Sequence, residues 1–118
     1  MNALKTLAAA ALLSASCIVP VGAAVTHATI DITASNWKFT PNTIQVHVGQ
    51  PTTLRLTSSE GVHGLESDEL GIPQTTISPG DTKTITITPK KAGKYVLHCA
   101  VMCGPGHATM TLTVNVVP

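Results

Sequence analysis

Strict alternation of apolar and polar residues is the feature that most constrains the fold of this 118-residue chain. The alternation recurs in five stretches: ATIDITA (28–34), TIQVHV (43–48), TTLRLT (52–57), TKTITIT (82–88) and MTLTVNVV (110–117). A period of two puts every second side chain on one face of a strand, and β-branched threonine fills most outward positions. Turn-forming segments such as VGQP, SPGD and KKAG separate the stretches. The pattern predicts an all-β domain, either a sandwich or a Greek-key barrel.

The first 24 residues have the composition of a secretory leader. A single cation, Lys5, precedes an apolar stretch and then a run of small residues. We expect cleavage after Ala24, which makes residues 1–24 a signal peptide and residues 25–118 one folded domain. Lipidation at Cys17 and retention of the leader as a weak membrane anchor are the alternatives. The domain is therefore predicted to be periplasmic or exported, or else anchored and facing away from the cytoplasm.

Charge and composition exclude several classes of function. Seven Lys and Arg residues against six Asp and Glu residues give a net charge of +1, and loss of Lys5 with the leader would leave the domain near neutral. No basic patch suited to nucleic acid is visible. The sequence also shows no substrate pocket with a general base, so we do not expect catalysis by this chain alone.

The segment HCAVMCGPGHATM (98–110) concentrates soft donor atoms. Its donors are two thiols, two imidazoles and two thioethers: Cys99, Cys103, His98, His107, Met102 and Met110. The GPG run at 104–106 cannot continue a strand, so a tight loop between two strands carries the donors. The stretch SSEGVHGLESDELGIPQ (58–74) breaks the alternation, which predicts a second loop around His63. A loop held at both ends by a rigid sandwich can fix ligand positions before a metal arrives.

Four interpretations of these donors are open. A Cys99–Cys103 disulfide suits an oxidising compartment, but it closes a small ring and leaves the imidazole and thioether unexplained. Zinc would take both thiolates and two imidazoles, His107 with either His63 or His98, in a Cys₂His₂ set. A single blue-type copper ion would take one thiolate, two imidazoles and a thioether, which leaves Cys99 spare and open to oxidation. Two copper ions would use both thiolates as bridges.

The loop CAVMCGPGHATM resembles C-x-E-x-C-G-x-x-H-x-x-M, the ligand loop of the binuclear copper A domain of cytochrome c oxidase subunit II and nitrous oxide reductase. The upstream segment NWKFTPNTIQVHVGQPTTLRLTSSEGVHGLESDELGI (36–72) is similar to that family's run of aromatic, proline, strand, glycine, strand and ligand histidine. The resemblance extends from about residue 30 to the end, and it implies a cupredoxin-like Greek-key β-sandwich or barrel.

The resemblance also implies a ligand set and a function. The implied metal ligands are His63, Cys99, Val101, Cys103, His107 and Met110. Cys99 and Cys103 would bridge the coppers, His63 and His107 would cap them, and Met110 would be a weak axial ligand. Val101, where the family usually has Glu, would ligate through its backbone carbonyl, which needs no particular side chain, although hydrogen bonds made by the Glu would be lost.

By this resemblance the chain is an exported electron-transfer protein that binds two copper ions. The expected partners are redox proteins such as a c-type cytochrome or a membrane oxidase, of which the chain could be a small subunit. A copper chaperone or storage protein and a single-copper blue-type cupredoxin are the alternative functions. Trp37 and Phe39 match an aromatic segment that contributes to electron entry in oxidases, with simple packing as the alternative. His47, His98 and Met102 are expected to point away from the site.

Overall fold

The five alternating stretches all form strands, as predicted. The structure is a computed structural model that describes residues 9–19 and 27–118. Residues 27–118 contain nine strands and one 3₁₀ turn, His107–Thr109. The strands are β1 (Ala28–Ser35), β2 (Lys38–Thr40), β3 (Thr43–His47), β4 (Thr52–Ser58), β5 (His63–Ser67), β6 (Ile72–Ile77), β7 (Thr82–Ile87), β8 (Gly93–His98) and β9 (Thr111–Val117).

The strands are arranged in two main sheets and a hairpin. One sheet has the order β2-β1-β4-β7, the other has the order β3-β9-β8, and β5 pairs with β6. The pairs β1–β4 and β3–β9 are parallel, whereas the other pairs are antiparallel. Parallel neighbours cannot be joined by a tight turn, so the chain crosses between the sheets and builds a sandwich.

The core lies between the two sheets and is made by the inward residues of the alternating stretches. Leu54 and Leu56 of β4 are completely buried, as are Leu112 and Val114 of β9. Each fully buried side chain of this kind contributes about 1.5–3 kcal/mol through loss of contact with water. Truncation of Leu56 to alanine would leave a cavity and cost roughly 2–5 kcal/mol. The core thereby fixes both ends of the segment that joins β8 to β9.

The predicted loop is correct for residues 59–62 but wrong at His63, where a strand begins. His63 is the first residue of β5, and His63, Gly64 and Leu65 are all buried. A strand covered on both sides has no outward polar position, so its sequence cannot show the alternation of a half-exposed strand.

The predicted leader lies partly outside the described residues. Lys5 and the cleavage position at Ala24 fall outside them, whereas residues 9–19 are exposed and contain neither helix nor strand. Within residues 9–19 and 27–118, no helical segment has the length and apolar character required to span a bilayer.

Candidate metal centre

Three structural elements bring the predicted donors to one end of the sandwich. Cys99 directly follows β8 and Met110 directly precedes β9, and these two antiparallel strands are hydrogen-bonded neighbours. The Cys99 amide donates to the Met110 carbonyl at 3.0 Å, which closes the base of the loop. His63 reaches the same place from β5. Its ring nitrogen and the sulfurs of Cys99 and Cys103 all lie within 4.8 Å of one another.

The imidazole of His63 is held in one orientation and has a free lone pair. The side chain is completely buried, and Nε2 lies 2.8 Å from the Glu60 carbonyl oxygen. A carbonyl can only accept, so Nε2 carries the proton and Nδ1 is the unprotonated nitrogen. Nδ1 is buried and has no hydrogen-bond partner among the described residues. An unpaired buried acceptor is costly, and a metal ion would satisfy it.

A glycine allows the Glu60–His63 turn to pack this closely. Gly61 has φ +77°, a conformation that side-chain-bearing residues rarely adopt. A Cβ at this position would lie 2.5 Å from Asn36 Oδ1 and 3.1 Å from His63 Nε2. The turn that orients His63 therefore depends on Gly61.

The two thiols differ in exposure and in their partners. Cys99 is buried, and its Sγ donates to the Val101 carbonyl oxygen at 3.2 Å. Cys103 is half-buried, and its Sγ lies 3.5 Å from His107 Nδ1 and 3.9 Å from Met110 Sδ. Burial and the neighbouring Cys99 thiol raise the pKa of Cys103 to about 11. Both cysteines are free thiols in this structure, so the disulfide alternative has no support from it.

Ala100 and Val101 hold the donor loop against β5. The Ala100 amide donates to the Gly64 carbonyl at 3.0 Å. A Cβ added to Gly64 would lie only 2.6 Å from Val101 Cγ2, so the valine side chain occupies the space that a larger residue at 64 would need. Position 64 was not identified from the sequence, where a glycine beside a histidine carries no distinguishing signal.

Trp37 covers the other side of the loop. Its Nε1 donates to the Cys103 carbonyl at 2.8 Å, and its ring packs over Gly104 and Gly106. A Cβ on Gly106 would overlap Trp37 Cγ, which leaves no room for any other residue there. Trp37 is 37% exposed, whereas Phe39 is a core residue. The sequence singled out Trp37 by resemblance but did not predict that it clamps the loop.

The residues that were expected to point away do so. His47 and His98 are exposed, and Met102 is 79% exposed. The six predicted site residues are instead linked by the distances given above, with Cys103 as the common neighbour of Cys99, His107 and Met110. His98 and His107 both lie outside the group of His63, Cys99 and Cys103, but His107 contacts Cys103 Sγ whereas the His98 side chain is exposed. The zinc alternative that uses His98 is therefore unsupported.

Comparison with known sequences gives the same class of protein as the fold and the donor cluster, a cupredoxin-like domain. A sequence model of the cupredoxin-like domain matches residues 5–114, so this chain belongs to the cupredoxin-like family. The predicted all-β, cupredoxin-like fold is thereby confirmed. The chain is also homologous to cytochrome c oxidase subunit 2 of Thermus thermophilus, with 31% identity over 88 residues. That match covers 75% of this chain but 64% of the relative, so the chain spans less than two thirds of its length.

Two kinds of solved structure share the fold. The periplasmic domain of subunit II of cytochrome oxidase from Bradyrhizobium japonicum superimposes with a TM-score of 0.69 at 20% identity, covering 76% of this chain and 83% of that domain. Auracyanin A, a "blue" copper protein from Chloroflexus aurantiacus, superimposes with a TM-score of 0.58 at 19% identity, covering 78% of this chain and all of that protein. At these identities the likeness concerns the fold.

Proposed function

We propose that this chain binds two copper ions in a copper A-type site and passes single electrons between redox proteins outside the cytoplasm. The observation that carries the proposal is the buried Nδ1 of His63 beside two thiols, which has no hydrogen-bond partner in residues 9–19 and 27–118. Thiolate, thioether and imidazole donors suit copper, and the cluster offers all three. Bound copper would supply a one-electron change between its cuprous and cupric states.

The protein's own residues would keep the ligands in place during that change. Glu60 holds the His63 ring, the Cys99–Met110 hydrogen bond closes the loop, and Trp37 covers it. Ligands that do not move keep the reorganisation small, and the half-buried setting limits contact with water. Val101 would ligate through its carbonyl oxygen, which already faces Cys99 Sγ.

Cytochrome oxidase subunits supply the comparison for partners and location. The Thermus relative is a subunit of an oxidase, and the Bradyrhizobium domain is periplasmic. We infer that the electron donor or acceptor of this chain is a c-type cytochrome or a membrane oxidase, and that residues 1–24 direct export. Fractionation of cells tests the location, since retention in the membrane under high salt would show an anchored domain.

A single-copper blue site is the second candidate, favoured by one set of contacts. Cys103 contacts both His107 and Met110 directly, and with His63 these residues supply one thiolate, two imidazoles and a thioether. Cys99 argues against this candidate, because its sulfur lies within 4.8 Å of the His63 ring nitrogen and of Cys103 Sγ. A copper ion held by His63 and Cys103 would therefore have the Cys99 sulfur beside it, and a thiolate is a preferred ligand of copper.

Copper loading of the purified chain separates the candidates. The binuclear site predicts two coppers per chain and an electron paramagnetic resonance signal with hyperfine coupling to two nuclei. One copper with coupling to one nucleus would refute it in favour of the blue site, and rapid loss of copper to a weak chelator would favour a chaperone. Cys99→Ser should abolish or convert the spectrum, whereas Cys17→Ser, at an exposed cysteine in residues 9–19, should leave it unchanged.

A further inference from the structure

A groove separates β8 from the turn that joins β5 and β6. Its volume is about 510 Å³, and residues 66–69 and 94–100 line it. β8 is the last strand of its sheet, since it pairs with β9 on one side only. β5 approaches the open side of β8 at one end, through the Ala100–Gly64 hydrogen bond, and the groove lies beyond that point. The groove is therefore closed at the end near the metal centre.

The backbone of β8 presents unpaired groups to this groove. Successive residues of a strand direct their amides and carbonyls to opposite sides. The Cys99 amide bonds toward Met110 on the β9 side, and the Ala100 amide bonds toward β5. By this alternation the amides of Lys94, Val96 and His98 face the groove. Within residues 27–118, β8 has no strand partner on that side, so the three residues form an open template for strand pairing.

The opposite wall of the groove carries uncompensated negative charge. Glu66, Asp68 and Glu69 line it. In the part of the chain that the structure describes, the one ion pair is Arg55–Asp31, so these three carboxylates have no cation within salt-bridge distance. On the β8 side Lys94 also lines the groove, so three carboxylates face one ammonium group among the lining residues. The domain as a whole is close to neutral, so this local excess of negative charge is a specific feature of the groove.

We propose that the groove binds an extended segment of a partner protein that bears lysine or arginine side chains. The segment pairs with β8 through the backbone groups of Lys94, Val96 and His98, and its cationic side chains face Glu66, Asp68 and Glu69. The half-exposed Val96 side chain offers an apolar neighbour to the added strand. Because Cys99 lines the inner end of the groove, the bound partner sits beside the candidate metal centre. The proposal does not depend on the metal that the centre holds.

A synthetic peptide of alternating lysine and valine tests the proposal on the full chain, by fluorescence anisotropy of a labelled peptide. Binding is expected for this peptide, but not for its counterpart with glutamate in place of lysine. A version with two adjacent central prolines should also fail to bind, because one of two successive residues must donate its amide to β8 and proline has no N–H. Equal binding of the proline version would overturn strand addition, since charge alone would then explain the affinity.

Matched variants distinguish an effect of the acidic residues in the groove from an effect of the net charge of the chain. Glu66→Gln with Glu69→Gln should weaken peptide binding roughly fivefold, because exposed ion pairs are individually weak. Asp31→Asn with Asp81→Asn removes the same charge from exposed positions outside the groove lining and should leave binding unchanged. An equal loss of peptide affinity in both double variants would show that Glu66 and Glu69 do not contact the peptide.

Amide hydrogen exchange gives a readout that needs no substitution. Peptide binding should slow exchange at Lys94, Val96 and His98 at least tenfold, while Tyr95 and Leu97, already paired with β9, change little. Unchanged exchange at the three amides would overturn the proposal. So would dimerisation of the chain through β8 in the absence of peptide, because the occupant would then be a second copy.

Discussion

At the scale of single residues, the donors differ in how firmly the protein holds each one. His63 is fixed by a hydrogen bond to Glu60 and by complete burial. Cys103 is half-buried and contacts its neighbours at longer distances, 3.5 Å to His107 Nδ1 and 3.9 Å to Met110 Sδ. The histidine is therefore ready to bind, whereas the thiol must first lose a proton.

The raised pKa of Cys103 predicts slow alkylation of the metal-free protein. With a pKa of about 11, almost all of this thiol is protonated near neutral pH. We expect Cys103 to react with iodoacetamide at least tenfold more slowly in the folded chain than in denaturant, where its pKa returns to the ordinary range. The rate should rise as the pH is raised toward 11. Mass spectrometry of the Cys103 peptide measures this, and equal rates in both states would contradict it.

Replacement of Met110 should separate ligation from packing. Met110 is completely buried, so Met110→Leu conserves volume and should cost less than about 1.5 kcal/mol in the free energy of unfolding of the metal-free chain. The same change removes the thioether beside Cys103 and should shift the absorption bands of the copper-loaded chain. Leu112→Met, at another buried position next to β9's start, is the control for packing and should leave the bands in place. Unshifted bands in Met110→Leu would exclude Met110 as a ligand.

At the scale of elements, the site depends on contact between β5 and the donor loop. Gly64 of β5 and Val101 of the loop pack so closely that a Cβ at position 64 would lie 2.6 Å from Val101 Cγ2. The same strand supplies His63, so the contact sets the distance between the imidazole and the two thiols. The Val101 side chain therefore acts as a spacer between β5 and the donor loop.

Gly64→Ala should displace the loop, and a second substitution should restore it. Overpacking of this kind costs about 1–3 kcal/mol in unfolding free energy, and we expect it to shift the spectrum of the copper-loaded chain. Val101→Ala removes the clashing methyl group, and the remaining contacts, 3.2 Å to the Thr75 carbonyl oxygen and 3.3 Å to the Val101 amide nitrogen, need only small adjustments. The double variant should recover most of the spectrum. A Gly64→Ala chain with unchanged stability and spectrum would show that the contact is unimportant.

The local sequence pattern predicted the strands that have one buried and one exposed face. It did not predict a strand that is buried on both faces. β4 and β9 alternate because one face is buried and the other meets water. β5 is buried along its first three residues, so the strand that carries His63 was predicted as a loop. Spacing predicted the donor loop, because its donors are close in sequence. The Trp37 clamp and the Gly64–Val101 contact depend on which distant elements meet, and no local pattern encodes that.

At the scale of the whole molecule, the donor cluster lowers the stability of the metal-free fold, and burial of the core must offset this loss. The buried Nδ1 of His63, which no group in the described part of the chain satisfies, destabilises the metal-free fold as an unsatisfied acceptor does. A ligand that binds the folded chain but not the unfolded one stabilises it by mass action, by about 2.7 kcal/mol at one hundred times its Kd. For a domain of this size, each 1 kcal/mol raises Tm by roughly 4–8 °C. Copper should therefore raise Tm by about 10 °C or more.

The variant His63→Leu tests both effects, the stability of the metal-free chain and its stabilisation by copper. Leucine fills the buried position without an unpaired nitrogen, so the loss of the Glu60 hydrogen bond is partly offset and the metal-free Tm should change little. The rise in Tm caused by copper should nearly disappear, because the variant lacks one of the proposed ligands. His98→Leu, at an exposed position, should keep the full rise. Calorimetry of the unsubstituted chain and both variants, each with and without copper, measures the six Tm values. A large copper-induced rise in His63→Leu would mean that copper binds elsewhere, and a collapse of its metal-free Tm would mean that His63 serves the core instead of a metal.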